Sequence, residues 1–155
     1  MAESLKFSTR EIREKEGLVH SGRAPVEDYD QQQLFGDARL EDPCAVDLEF
    51  SVGGSSILLE GRVAGTWTLA CSRCLSPHPA PLSGEFDETY PLSSEVIDVG
   101  EEVRQAIVLS LPERSLCRED CKGLCPRCGQ NLNKAQCGCP ADAFPGVRAV
   151  KRLKR

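Results

Sequence analysis

Six of the nine cysteines in this 155-residue chain, Cys117, Cys121, Cys125, Cys128, Cys137 and Cys139, fall within 23 residues of the segment LCREDCKGLCPRCGQNLNKAQCGC. The segment is rich in glycine and turn formers and too short of apolar side chains to hold a shape by burial, so its order must come from its thiols. A second pair, Cys71 and Cys74 in ACSRCL, lies upstream, which leaves Cys44 as the one cysteine outside the clusters. Eight thiolates suffice for two tetrahedral zinc sites.

The same count in a short chain is also compatible with disulfides, and the compartment decides between the two. The N-terminal MAESLKFSTREIREKEG alternates charged and apolar residues without an apolar run of signal-peptide length, and no later segment approaches the roughly 18 apolar residues of a membrane span. The expectation is a cytoplasmic, reduced protein in which the cluster binds structural zinc, one or two ions. A thioredoxin-type role for Cys71 and Cys74 needs a helix to follow them, and Pro77, Pro79 and Pro81 exclude it.

A chain of this length fits one domain, or one domain with a small appended module. Aromatic residues make up only 5%, which weakens any reading that stacks nucleobases on tyrosine and phenylalanine. The net charge of -5 hides a split: residues 1–100 carry 8 basic and 18 acidic side chains, residues 101–155 carry 11 basic and 6 acidic. Two four-thiolate zinc sites drawn from the basic end would reduce its excess to about +1, so Lys122, Arg127 and Lys134 partly offset thiolate charge. The tail VRAVKRLKR, with Arg148, Lys151, Arg152, Lys154 and Arg155, is the unambiguous basic element. It reads equally as a contact for RNA or an acidic partner and as a solvated end.

Periodicity predicts an α+β fold. A strand is expected over Leu5 to Phe7, followed to residue 43 by a polar, weakly patterned stretch. Ala45–Phe50 alternates, Gly53-Gly54 supplies a turn, and Ile57–Val63 resumes the alternation, which makes a hairpin whose second strand runs on through Ala70. With Leu82–Tyr90 these form a small antiparallel sheet of four to six strands, a meander or a partly open barrel. Asp98 and Glu101 have capping-box spacing, and Val103, Ala106, Ile107 and Ser110/Leu111 recur at helical spacing until Pro112, giving one packed amphipathic helix. The expected organisation is residues 1–112 as strand, polar segment, sheet and helix, and 113–155 as a zinc-braced module docked on the sheet, with a short basic helix over Phe144–Leu153.

In CPRCG the two-residue spacer lets Cys125 and Cys128 face one ion, and Gly129 allows a tight exit, which is a strong metal signal. ACSRCL is a weaker one, placed where a strand ends. Two groupings are open. One joins Cys71 and Cys74 to a downstream pair as in a zinc ribbon; the other, preferred, takes Cys125, Cys128, Cys137 and Cys139 as one site and leaves Cys71 and Cys74 to meet Cys117 and Cys121. The one-residue spacer of Cys137-Gly-Cys139 is less regular for chelation, so a single site with a spare thiol is the competing count. His78 lies four residues after Cys74 and is better read as a solvent-facing loop residue than as a ligand. Asp47, Glu49, Glu85, Asp87 and Glu88 read as the solvent face of strands, Trp67 as a core or rim residue, and Cys44 as an inert, half-buried thiol. No hydrolase elbow, phosphate-binding loop or dinucleotide fingerprint is present.

Taken in order, the CSRC pair at a strand end, the helix ending in IVLSLP, and LCREDCKGLCPRCGQNLNKAQCGC closely resemble the YceD family of bacteria and plastids, over roughly residues 44–140. The family is named for large ribosomal RNA subunit accumulation. The resemblance implies a factor needed for 23S rRNA to be processed or to persist during large-subunit assembly. Family members commonly end in a D-P-R-type segment before a short helix, where this chain has DAFPGVRAVKRLKR. No catalytic residues carry over, and only the cysteines transfer as site candidates. The expectation is therefore a non-enzymatic assembly factor that binds precursor rRNA, a ribosomal protein or another assembly protein, with no small-molecule substrate. Any RNA contact is expected through Arg118, Lys122, Arg127, Lys134 and the basic tail, mainly to phosphates. The alternatives are a zinc-containing RNA-processing enzyme and a zinc-ribbon adaptor in transcription.

Overall fold

The structure, a computed structural model, describes residues 5–24, 38–41 and 43–139. Alternation sets its centre. In β4 (Cys44–Gly53) Cys44, Val46, Leu48 and Phe50 are buried while Ala45, Asp47, Glu49 and Ser51 face solvent. β5 (Ser56–Ala70) answers with Ile57, Leu59, Val63, Trp67 and Leu69 on the same inner face. The two pair antiparallel from Gly53↔Ser56 to Ala45↔Ala64, around a turn in which Gly54 takes φ 59°. Each fully buried Val, Leu or Ile here contributes about 1.5–3 kcal/mol relative to exposure.

Around this hairpin the sheet is completed by β2 (Gly17–Ala24) along β4, by β3 (Arg39–Leu40) against the far end of β5, and by β6 (Pro77–Pro91) along the whole opposite side of β5. A separate two-stranded pair joins β1 (Lys6–Ser8) to β7 (Val96–Asp98). Among the described residues two helices occur, where one was expected over that stretch. α1 (Thr9–Glu14) follows β1 directly and buries Ile12, too short a helix for any period to show. α2 (Gly100–Leu109) buries Val103, Ala106 and Ile107, the face read from the sequence. Among the described residues the sheet is not a closed barrel, and β4, β5 and β6 form the expected meander.

Two further expectations change. The capping box at α2 does not form: Val99 is the N-cap, Asp98 Oδ1 accepts the Gly100 N–H at 3.1 Å, and Glu101 turns instead to Arg104 Nε at 2.8 Å. β6 begins well before Leu82, running through Pro77, Pro79 and Pro81, because an edge strand tolerates proline wherever the nitrogen faces away from its neighbour.

The inner face of the sheet, α2, β1, β7 and α1 share one core. Phe7 packs against Phe50 at 4.9 Å between ring centroids. Trp67 is fully buried and donates its indole N–H to Ser110 Oγ at 3.2 Å. A Cβ on Gly84 would lie 2.9 Å from the Ala106 carbonyl oxygen, so glycine at this position sets how closely α2 approaches β6. Among the described residues no helix is long and apolar enough to cross a membrane.

Candidate metal centre

At the end of β5 the chain reverses within six residues. Cys71 N–H donates to the Ser76 carbonyl at 2.9 Å, Leu75 N–H donates back to the Cys71 carbonyl at 2.9 Å, and Leu75 takes φ 58°. This turn places Cys71 and Cys74 side by side and buries both. The segment after α2 lies against it: Ser72 N–H donates to the Ser115 carbonyl at 2.8 Å, and the Arg73 guanidinium donates to the carbonyls of Glu119 at 3.3 Å and Cys121 at 3.0 Å. Cys117 and Cys121 are thereby brought to the turn.

The sulfurs of Cys71, Cys74, Cys117 and Cys121 all lie within 4.8 Å of one another. Cys71 Sγ and Cys121 Sγ are 3.8 Å apart, and Cys74 Sγ and Cys117 Sγ 3.7 Å. A tetrahedron of thiolates around zinc, with Zn–S near 2.3 Å, has edges of about 3.8 Å. The donor set therefore fits a zinc ion in size and in chemistry. Cys125, Cys128, Cys137 and Cys139 form a second quartet within the same 4.8 Å limit. Its knuckle closes as Gly129 N–H donates to the Cys125 carbonyl at 2.9 Å, with Gly129 at φ 72°. The division of the eight thiols is that of the second grouping described above, and Cys44 lies outside both quartets.

N–H groups aimed at sulfur favour the thiolate. Amides of Cys117 and Cys74 hold the Cys71 thiol down to about 5, and those of Cys128 and Arg127 hold Cys125 at about 6. Their neighbours move the other way: burial, with sulfur neighbours, pushes Cys117 up to about 12, and the contact with Cys128 raises Cys139 to about 12. Each quartet thus has a sulfur ready to ionise and another that resists sharing the space with its charge. A bound divalent cation removes that conflict. Cys44, by contrast, is raised to about 11 by burial alone.

Two asparagines brace the first quartet, Asn133 directly and Asn131 through it, and the sequence reading missed both. Asn133 Nδ2 donates to Cys121 Sγ at 3.2 Å, while its Oδ1 accepts Lys122 N–H at 2.8 Å and Arg118 Nη2 at 2.7 Å. Asn131 Oδ1 accepts the Asn133 N–H at 2.9 Å, and Asn131 Nδ2 donates to Ser76 Oγ at 3.3 Å. The N-x-N spacing directly after the knuckle was the available signal, since asparagine side chains readily bond backbone two residues on.

His78 is not a loop residue facing solvent. It lies in β6, half-buried, with Nε2 2.7 Å from Ser115 Oγ, so it helps tie β6 to the cysteine segment and joins neither quartet. Arg118 also pairs with Asp120 at 3.4 Å. Lys122, Arg127 and Lys134 are exposed on the same segment. Arg148, Lys151, Arg152, Lys154, Arg155 and the helix expected over 144–153 lie outside the described residues.

Residues 87–154 match the family described as Large ribosomal RNA subunit accumulation protein YceD. An uncharacterized protein of Mycobacterium tuberculosis is 33% identical over 104 residues, covering 56% of this chain and 50% of its own. The chain thus spans about half the length of the mycobacterial relatives it matches. The chloroplastic YCED homolog 1 of Arabidopsis thaliana is 36% identical over 50 residues, 32% of this chain and 16% of that protein. Its counterpart in Zea mays is 33% identical over 63 residues, 40% of this chain and 22% of that one. No solved structure matches. The matched stretch takes in the end of β6, α2 and six of the eight quartet cysteines, and over these residues the chain is similar to the YceD family and its plant members.

Proposed function

We propose that this protein is a non-enzymatic, cytoplasmic factor in biogenesis of the large ribosomal subunit, needed for 23S rRNA to be processed or to accumulate. It acts by binding precursor rRNA, or a ribosomal or assembly protein, through residues 113–155, a module braced by two structural zinc ions and docked on the sheet. The zinc ligands are Cys71, Cys74, Cys117 and Cys121 at one site and Cys125, Cys128, Cys137 and Cys139 at the other. The observation that carries the reading is that the family match, whose description and plant members name large ribosomal RNA accumulation, coincides with two four-thiol quartets.

Four thiolates close a tetrahedron, whereas catalytic zinc keeps a position open for water or substrate. This donor set favours a brace over a reaction centre. The hydrogen bonds from Ser72 and Arg73 to residues 115–121 support docking on the turn between β5 and β6. Arg118, Lys122, Arg127 and Lys134, together with the basic tail, supply cations for phosphate contact, with affinity that falls as salt rises.

Ribosome profiles on sucrose gradients and the 23S to 16S rRNA ratio test the reading, in cells lacking the protein and in cells carrying Cys125→Ser/Cys128→Ser. A shortage of large subunits in both is expected. A normal profile in the deletion strain would overturn the assembly role. A shortage confined to the deletion strain would remove the second quartet from the mechanism.

A further inference from the structure

Among the described residues β6 pairs only with β5, so its other side is a sheet edge. Proline stands at 77, 79, 81 and 91, all of one parity. Since a strand proline sits where its nitrogen faces away from the paired neighbour, the odd residues of β6 turn their backbone groups away from β5. Two hydrogen bonds agree. Thr66 in β5, opposite Pro81, gives its carbonyl to Glu41 N–H at 3.2 Å on the far side. Thr89 N–H goes to the Glu88 carboxylate at 3.1 Å and not to β5.

The edge is consequently built in two halves. Over residues 77–81 proline removes the donors and closes it to any incoming strand. From Ser83 to Asp87 it stays open: no hydrogen bond among the described residues occupies the amides of Ser83, Glu85 or Asp87. Beside this open half a groove of about 330 Å³ separates β6 from α2. Glu85, Glu88 and Glu102 line it, Glu85 also pairing across the sheet with Arg62 at 3.2 Å, and Leu109, 83% exposed, lies at its rim. Glu102 Oε1 accepts the Tyr90 hydroxyl at 2.8 Å, while Oε2 is buried with no hydrogen-bond partner among the described residues.

We propose that the edge of β6 from Ser83 to Asp87 receives an extended, Lys- and Arg-bearing segment of a protein partner as an added strand. Backbone pairing supplies affinity, and carboxylates on both sides of the incoming strand select its charge. The same carboxylates exclude competitors. A second copy pairing edge to edge would bring Glu85 and Asp87 up against the like charges of its own edge, which is unfavourable, and RNA phosphates are repelled. The inference rests on the edge and its charge, and stands apart from both the zinc sites and the rRNA reading.

The test uses the full chain and a labelled nine-residue peptide of alternating Lys and Val. A second peptide, N-methylated at its central consecutive amides, keeps the charge and blocks both of its edges. The unmodified peptide is expected to bind and to slow hydrogen exchange at the amides of Ser83, Glu85 and Asp87. N-methylation is expected to weaken binding about tenfold or more, as is Asp87→Pro, which extends the existing proline parity without touching the β5 ladder. Equal binding of the two peptides, unchanged binding by folded Asp87→Pro, or no binding at all overturns the proposal. So does protection of the same amides by an RNA oligonucleotide, or a dimer that Asp87→Pro dissociates. The peptide comparison needs no variant, so it decides even where Asp87→Pro does not fold.

Discussion

Between Cys44 and Leu69 nearly every second side chain is buried, whereas from 113 to 139 only Cys121, Gly123 and Cys125 are. The first region is held by apolar area removed from water, and its inward rows need nothing but one another and α2. The second offers little to bury, and Leu116 stands 38% exposed at its start. What gathers it is sulfur, the asparagine pair, and backbone bonds to the turn at 71–76. With the metal sites proposed above, one chain contains a part whose stability is intrinsic and a part whose stability is conditional on what its thiols bind.

Metal removal should separate the two most sharply. Structural zinc contributes on the order of 10 kcal/mol to small thiol-rich modules. Chelation under reducing conditions is therefore expected to abolish hydrogen-exchange protection at Leu124, Cys125 and Leu132, whose amides donate to Arg73, Gln130 and Gly123. Amides in the β4–β5 ladder should stay protected. Simultaneous loss of both sets would mean that a single cooperative unit spans the molecule, and the contrast would fall.

The two quartets sharpen it next. In the first, Cys71, Cys74 and Cys121 are at most 4% exposed; in the second, only Cys125 is buried. Cys74→Ser and Cys128→Ser should each lower the zinc content by one of the two sites. Only Cys74→Ser should also free the Ser72 amide from the Ser115 carbonyl and release the module from the sheet. Equal effects on that amide would show that the quartets are not independent braces.

A core truncation probes the other region. Ile107 is fully buried on the face of α2 that meets the sheet. Ile107→Ala should cost about 2–5 kcal/mol in thermal or denaturant unfolding, with zinc content unchanged. A loss of metal alongside the loss of stability would place the quartets downstream of the core.

What the sequence disclosed follows the same division. The β4–β5 hairpin and the buried face of α2 were legible because alternation and helical spacing report burial directly. β2 was not: it is an edge strand interrupted by Gly22, with His20 and Leu18 only half-buried, so period two is faint. The start of β6 was hidden by prolines, which read as breakers until their common parity identifies an edge. α1 offered one buried apolar side chain, Ile12, in six residues. The cysteines announced themselves, but equivalent thiols carry no label for their partners. The fold supplies that label by ending β5 next to residues 115–121. Asp98 and Glu101 had capping-box spacing, yet Arg104 one turn along competes for Glu101 with a full positive charge.

That last pair yields the smallest expected effect and the finest check on the comparison. Hydrogen bonds from Arg104 hold the Glu101 carboxyl at about 2, below its ordinary 4.5. A depressed carboxyl stabilises the folded state above its unfolded value, so the contribution is present above about pH 4.5 and is lost as pH falls toward 2. The Glu101 side chain is 57% exposed, so solvent screens the pair and its effect should be well below that of Ile107→Ala. Acid also protonates the thiols and weakens metal binding, which makes wild type alone uninformative. The measurement is the difference in unfolding midpoint between wild type and Glu101→Gln at each pH, in which the metal effect cancels. That difference should be small at pH 7, shrink with added salt and vanish near pH 2. If it equalled the loss in Ile107→Ala, α2 would be held by its charges as much as by its apolar face, and burial alone would no longer account for the intrinsic half of the molecule.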